Sequence, residues 1–312
     1  MLSRVAESLY WLARNVERAE TLARILDVNY NRTVDRNAAG RERATRIWRS
    51  VFSIAGITAD VELLEGAALA SAAFELCTFS TEWRTSIVAC IRVARTNALN
   101  VRAELTTEVW EYLNGLYLFV EAQSPRSVAR DGPSSFLRNV RDTAQALGGI
   151  IDATITHGDE WHFLQMGRYL ERAAMTARIL RAYDAVDEGL HEWQRLLEMC
   201  CASEPFAKAQ RLSSEPHEVL GFLILHREFP RSIRFCVNDI DDALHRISET
   251  PLGAFSNEAE RVTGRLKAML DFVSVAEILD EGGQRFATRI AERLDAVGTA
   301  LETTYFPRVP VG

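Results

Sequence analysis

Lysine is nearly missing from this chain of 312 residues: Lys208 and Lys267 are its two representatives, and arginine supplies every other basic side chain. Arginine offers fixed planar donors for carboxylate or phosphate groups, and the same bias also follows from a GC-rich coding sequence. A basic excess is missing too. The net charge is −7 and the pI about 5.5, which excludes general nucleic-acid binding, because neutralising phosphates requires a basic surface. No uncharged apolar run approaches the ~18 residues of a spanning helix, and no basic-then-apolar leader precedes the first helical pattern. A cytoplasmic location without membrane contact is therefore expected. The cysteines, Cys77, Cys90, Cys200, Cys201 and Cys236, are odd in number, include an adjacent pair and form no Cys-x-x-Cys. That usage fits reduced thiols better than a disulfide framework or a zinc site. Gly-x-Ser-x-Gly, the P-loop and Gly-x-Gly-x-x-Gly are absent, and Gly148-Gly149 and Gly282-Gly283 read as a packing contact and a helix end. No cofactor is expected. Any ATP-dependent chemistry would use a nucleotide held by a partner.

What is present is a helix that returns. Residues 2–26, LSRVAESLYWLARNVERAETLARIL, reappear as 160–180, EWHFLQMGRYLERAAMTARIL. At one offset Arg14 falls on Arg168, Glu17 on Glu171, Arg18 on Arg172 and Arg24-Ile25-Leu26 on Arg178-Ile179-Leu180, which marks an internal duplication. At about 100° per residue, Val5, Leu9, Leu12, Val16, Ala19, Ala23 and Leu26 form one apolar seam. The opposite side carries Tyr10, Trp11, Leu22 and Ile25 among Glu7, Arg14, Glu17, Arg18 and Arg24. Apolar residues on both sides predict a helix packed on both sides, so its charges are enclosed. Enclosed ions must be paired, which leaves two outcomes: a structural network or a polar cavity.

Further helices are expected over 41–54, with Ile47, Trp48, Val51 and Phe52 inward, and over 61–77. Another runs from an N-cap at Ser80 to about Ala103, with Ile87, Cys90, Ile91, Ala94 and Ala98 inward, followed by one over 107–122 bearing Val109, Trp110, Leu113 and Leu116. A polar loop spans Asn29 to Gly40. The prolines and Asp131-Gly132 of 124–133 suggest a linker or mobile loop between a first repeat, 1–123, and a second, 134–312. Helices follow over 134–155, 188–201, 216–226, 230–248, 257–273 and 284–305, with Pro230 in a first turn and Asn257 near a cap. Thr85-Ser-Ile-Val-Ala-Cys-Ile-Arg92 matches Arg231-Ser-Ile-Arg-Phe-Cys-Val-Asn238 in Ser, Ile and Cys, a second sign of duplication. The expected fold is an all-α, internally duplicated helical bundle with pseudo-two-fold symmetry, its two repeats packed as one globular unit. Pairing of the marker helices would bring Arg14, Glu17 and Arg18 near Arg168, Glu171 and Arg172.

The opening LSRVAESLYWLARNVERAE, the stretch Arg95-Thr-Asn-Ala through Val101-Arg102 to Thr107-Glu-Val-Trp110-Glu111-x-x-Asn114, and Glu160-Trp161 with Gly167-Arg168-x-x-Glu171-Arg172-Ala together resemble the bacterial alpha-E family over essentially the whole chain. That family is long catalogued as a domain of unknown function. Its genes commonly neighbour a circularly permuted ATP-grasp protein and transglutaminase-like proteins. The resemblance thus implies an ATP-grasp partner and a role in peptide or amide-bond synthesis or modification. One departure is Ala174, where the second copy usually has an acidic residue.

The candidate site is built from the twin Arg-x-x-Glu-Arg sets. Residues three and four apart share a helix face, so Arg14 can pair with Glu17 or Arg18, and Arg168 with Glu171 or Arg172. Either these charges form a network that docks the halves, or Arg14, Arg18, Arg168 and Arg172 grip a carboxylate or phosphate, on a peptide or small ligand, while Glu17 and Glu171 orient them or accept protons. Arg95, Asn97, Trp110 and Glu111, with Arg92, Arg102, Glu108 and Asn114, could line the same cavity or form ordinary solvated faces. Glu188-x-x-His191 and Asp242-x-x-His245 imitate half of a di-iron site, but they occupy unrelated positions in the two halves, and no metal is expected. The leading function is a component of an amide-forming system with an anion pocket. The alternatives are an enzyme with Glu17 or Glu171 as general base, and a purely structural interaction protein.

Overall fold

In a computed structural model, residues 2–30, 38–59, 61, 63–182, 190–210 and 215–307 are described, and among them every regular element is helical. Helix α1, Ser3–Tyr30, takes its form from the doubly apolar pattern: Leu9, Tyr10, Leu12, Leu22, Ile25 and Leu26 are all buried. The loop expected over 29–40 lies mostly outside the described residues. Two units organise the chain. One comprises Met1–Arg14, Asn97–Glu104 and Ile155–Gly312, and the other Asn15–Thr96 and Leu105–Thr154, so α1 contributes to each.

The second unit holds the rest of α1 with α2, Ala38–Ala55; α3, Gly66–Phe79; α4, Ile87–Asn100, up to Thr96; α5, Thr107–Glu121; α6, Pro125–Asp131; and α7, Pro133–Thr154. Ile47, Trp48, Val51 and Phe52 of α2 are buried as expected, as are Ile87, Cys90, Ile91, Ala94 and Ala98 of α4. Trp110 differs, being half-buried rather than inward. Ser80 does not cap α4. It closes the C-terminus of α3, and its carbonyl accepts from the Ser86 hydroxyl at 2.5 Å. Ser86 is the residue whose oxygen receives the Ala89 N–H at 3.2 Å, so the helix starts six residues later than the sequence suggests. Residues 124–133, expected as a linker or loop, hold α6. Ser124 and Ser127 cap it reciprocally, Pro125 sits in its first turn, and Gly132 at φ 93° turns the chain into α7.

The first unit contains the start of α1 and the helices from α8, Asp159–Arg181, through α9, Leu190–Met199; α10, Ser203–Gln210; α11, Pro216–Leu225; α12, Ile233–Ser248; α13, Glu258–Phe272; α14, Val275–Glu281; and α15, Gly283–Tyr305. Helix α8 is its centre, packed most extensively against α12 and α15, and α13 packs on both α12 and α15. Burial round most of α8 agrees with its largely apolar sequence: Phe163, Leu164, Met166, Leu170, Met175, Ile179 and Leu180 are all inside, while Arg168 and Arg172 are half-buried. Ser232 caps α12, its oxygen accepting from Phe235 N–H at 3.1 Å, and Pro230 lies before the helix rather than in its first turn. Asn257 caps α13, as expected.

Local details recur along the chain. The Ser86 hydroxyl donates to the Ser80 carbonyl and the Ser232 hydroxyl to that of His226, each six residues back. The thiols of Cys90 and Cys236 each approach, at 3.5 Å, a carbonyl six residues back. Gly282, at φ 94° and ψ 124°, turns α14 into α15 as Gly132, at φ 93° and ψ 123°, turns α6 into α7. No described helix is long and apolar enough to cross a membrane.

Candidate functional site

Within the first unit the start of α1 crosses α8 at very close range. A Cβ on Gly167 would lie 2.2 Å from the Tyr10 carbonyl oxygen, so glycine is what lets the two backbones touch. That approach sets Arg14 over Glu171. Arg14 Nε donates to Glu171 Oε2 at 3.0 Å and Nη1 donates to the Tyr10 hydroxyl at 3.0 Å, while the guanidinium carbon lies 4.9 Å from the Trp11 ring centre. Glu171 is fully enclosed and the Arg14 side chain 12% exposed. Burial pushes the Tyr10 phenol up to about 12, against the opposing pull of Arg14, so it stays a neutral hydroxyl. Gly298 of α15 packs nearby: a Cβ there would lie 3.7 Å from Arg14 Nη1 and 3.9 Å from the Tyr10 hydroxyl.

The other expected residues are placed as follows. Arg168 is half-buried and donates from Nη1 to Gln165 Oε1 at 3.2 Å. Arg172 donates to the Pro230 carbonyl at 3.3 Å and lies 5.4 Å from the Tyr169 ring. In the second unit Glu17 is buried and Arg18 half-buried. There Arg95 donates to Asn114 Oδ1 at 2.9 Å and covers the rings of Tyr117 and Trp110, at 4.3 and 5.7 Å. Glu111 is exposed, and Asn97, which belongs to the first unit, is half-buried. Arg14 and Glu171 are thus joined, as are Arg95 and Trp110.

Sequence reasoning passed over a second buried ionic group. Glu20, 2% exposed, accepts from Arg24 one turn on and from Gln145 Nε2 of α7 at 3.1 Å, and Asp27 pairs with Arg141 at 3.5 Å. Glu20 and Arg24 stand four apart on a helix apolar on both sides, a signal visible in the sequence.

The first unit also contains a cavity of about 370 Å³ lined by His157, Trp161, His162, Gln165, Asp239, Asp242, Ala243 and Arg246. Helix α8 supplies Trp161, His162 and Gln165, and α12 supplies Asp239, Asp242 and Arg246 from the side opposite its buried Ile233, Val237, Ile240 and Leu244. Burial, with Asp242 nearby, pushes the Asp239 carboxyl up to about 6 against the pull of Arg172. Burial likewise lowers His162, with Asp159 opposing it and Arg246 and His157 adding to it, and the buried Nδ1 of His162 has no hydrogen-bond partner among the described residues. A larger cavity in the second unit, about 530 Å³, is lined by Glu75, Glu82, Arg92 and Glu121, and there Glu121 accepts from Arg92 at 2.6 and 3.0 Å.

These marker helices, each bearing a Glu-Arg pair at Glu17-Arg18 and Glu171-Arg172, agree with a family model described as a predicted alpha-helical domain with a conserved ER motif, which matches residues 1–306. The chain belongs to the Alpha-E family. No curated protein and no solved structure matches it. What this Alpha-E chain shows is an all-helical fold whose marker helices carry a buried Arg/Glu salt-bridge network.

Of the two imitation metal motifs, the Asp242-x-x-His245 pair lies among the described residues. In this Alpha-E chain His245 turns to the Thr250 carbonyl, at 3.0 Å, and to Asp241, at 3.7 Å, while Asp242 faces the cavity; Glu188 and the His191 side chain lie outside the described residues. Among the described residues no three His, Cys, Asp or Glu side chains are gathered as a metal would need. The cavity itself left a signal: Asp239, Asp242 and Arg246 recur at three and four residues on one face of α12.

Proposed function

We propose that this Alpha-E chain is the helical, non-nucleotide-binding component of a bacterial, cytoplasmic peptide- or amide-forming or peptide-modifying system, and that it acts with a circularly permuted ATP-grasp protein. The partner follows from the family resemblance. The ligand end is an anion grip in which Arg168 and Arg172 of α8 hold a carboxylate or phosphate beside the α8–α12 cavity. One observation carries this reading: the half-buried Arg168 is hydrogen-bonded to Gln165, which lines the cavity, so a guanidinium lies next to the wall. Arg14, held by Glu171 and Tyr10, positions α8, and Glu17 with Arg18 takes the corresponding role in the second unit. Arg95, Trp110 and Glu111 of the second unit form a secondary set for contact with the peptide or partner, and Asn97 of the first unit is a separate candidate.

The test is affinity capture of the ATP-grasp protein on the tagged chain, with mass spectrometry of co-purifying small molecules and product formation by the pair. Arg168→Gln with Arg172→Gln should preserve capture and abolish most product. Failure to retain the partner, or unchanged product from the double variant, overturns the reading. A purely structural role is favoured at one point, Glu171, because a carboxylate fully enclosed and paired to Arg14 is unsuited to serve as a general base.

We also infer that α1–α7 and α8–α15 descend from one duplicated unit. Support comes from the marker sequences, the paired Ser and Cys hydrogen bonds six residues back, and the paired glycine turns. The repeat boundary then falls near Ile155 rather than within 124–133.

A further inference from the structure

The α8–α12 cavity contains more than an anion would need. Asp239 is half-buried and carries no hydrogen bond or ion pair among the described residues, and Asp242, one turn on, has only Lys267 at 3.9 Å. Two carboxylates so placed repel each other and disfavour a ligand that is purely anionic, while Arg246 on the same face disfavours a simple cation. A ligand with both signs of charge answers both. Along α12, Asp239 and Arg246 stand about 10 Å apart, and helical side chains lean toward the N-terminus, so Arg246 reaches back toward Asp242 and the poles are brought within the span of one small molecule. The Trp161 indole and the Gln165 amide provide an apolar wall and a polar one. A cavity of about 370 Å³ lies at the small end of ligand sites.

We infer that this cavity binds a free amino acid, its ammonium held by Asp239 and Asp242 and its carboxylate by Arg246. The inference deepens the amide-system reading by naming the substrate class, and it rests on that reading only for what becomes of the bound amino acid. Pairing with an ammonium would give Asp239 a hydrogen-bonded counter-charge, which the more distant Arg172 does not supply. His162 also lines the cavity, its ring edge-on to Trp161, and its buried Nδ1 has no hydrogen-bond partner among the described residues.

The experiment is calorimetric titration of the full chain, without any partner, against each of the common amino acids. For those that bind, the N-acetyl form, the carboxamide and the glycine-extended dipeptide are then compared. At least one free amino acid should bind saturably, and loss of either charge should weaken it about tenfold or more. The dipeptide distinguishes a free amino acid from a peptide N-terminus: equal or tighter binding of the dipeptide overturns the assignment. Asp239→Asn should reduce affinity about tenfold or more, and Arg246→Gln, at an exposed position that folding does not need, should do the same. The inference fails if no amino acid binds up to about 10 mM, a concentration at which a contact worth only about 3 kcal/mol would already register. It also fails if acetylated and free forms bind alike, or if both variants bind like the wild type. Binding that persists when the ATP-grasp protein is not captured leaves this inference standing and removes the partner; capture without amino-acid binding does the reverse.

Discussion

At the scale of single residues, the ionic side chains differ in how much each depends on a partner. Glu171 is fully enclosed and has no water to turn to, and Arg14 pairs with it at 3.0 Å. Removing one member of a buried pair leaves the other uncompensated, which costs about 3–5 kcal/mol. Glu171→Gln should lose that much in urea unfolding, and replacing both Glu171 and Arg14 by methionine should recover most of it. Asp239 works in the opposite sense. Its carboxyl is raised from 3.8 to about 6 in the folded chain, so below 3.8 both folded and unfolded forms are protonated and the full contribution is present. As the pH climbs through that window the unfolded chain releases its proton first, and stability falls. Asp239→Asn, which is never charged, should therefore melt at the same temperature as the wild type near pH 4 and at a higher one near pH 8. The first of these residues was legible in the sequence, because a helix apolar on both sides must enclose its charges. The second was not, because its environment is made by Asp242, Arg172 and burial against another helix.

At the scale of elements, the closest contact is the α1–α8 crossing. Gly167→Ala would drive a methyl group into the Tyr10 carbonyl, 2.2 Å away, and backbone cannot yield as a side chain can. A loss of about 3 kcal/mol is expected by thermal denaturation. Gly149 is the counter-case: it lies inside α7 with open space around it, so Gly149→Ala should stabilise by about 0.5–1 kcal/mol. Of the pair expected to make a packing contact, Gly148 is the buried member and Gly149 the open one. Ser86→Ala and Ser232→Ala should each cost about 1 kcal/mol, alike in size, since each removes an N-cap and a hydroxyl bond to a carbonyl six residues back. Long helices were legible because their apolar period runs for several turns. Helices α6 and α14, at 7 residues each, are too short to show a period, and only their serine caps, Ser124 and Ser274, announce them. The start of α4 was misplaced because Ser80 and Ser86 are equally plausible caps until the turn between them is seen.

At the scale of the whole molecule, the division into units does not follow the order of the chain. The stretch from Ile155 onward accounts for most of one unit, yet it lacks Tyr10 and Arg14, which back Gly167 and neutralise Glu171. A fragment beginning at Ile155 should therefore show no cooperative melt by circular dichroism, and a synthetic peptide of residues 2–30 added in trans should restore one. A cooperative melt without the peptide would show that α1 is dispensable to that unit. The all-helical class was readable from composition and period, whereas the interleaved membership was not, because no local pattern records which helix a distant one will meet. That interleaving has a consequence during synthesis. Arg14 and Glu171 are 157 residues apart, so at roughly 5–20 residues per second the opening helix waits on the order of ten to thirty seconds for its counterpart to leave the ribosome. Through that interval the start of the helix, up to Arg14, has not met α8 while the rest can already pack within the second unit, so the nascent chain carries an apolar face that the finished protein covers.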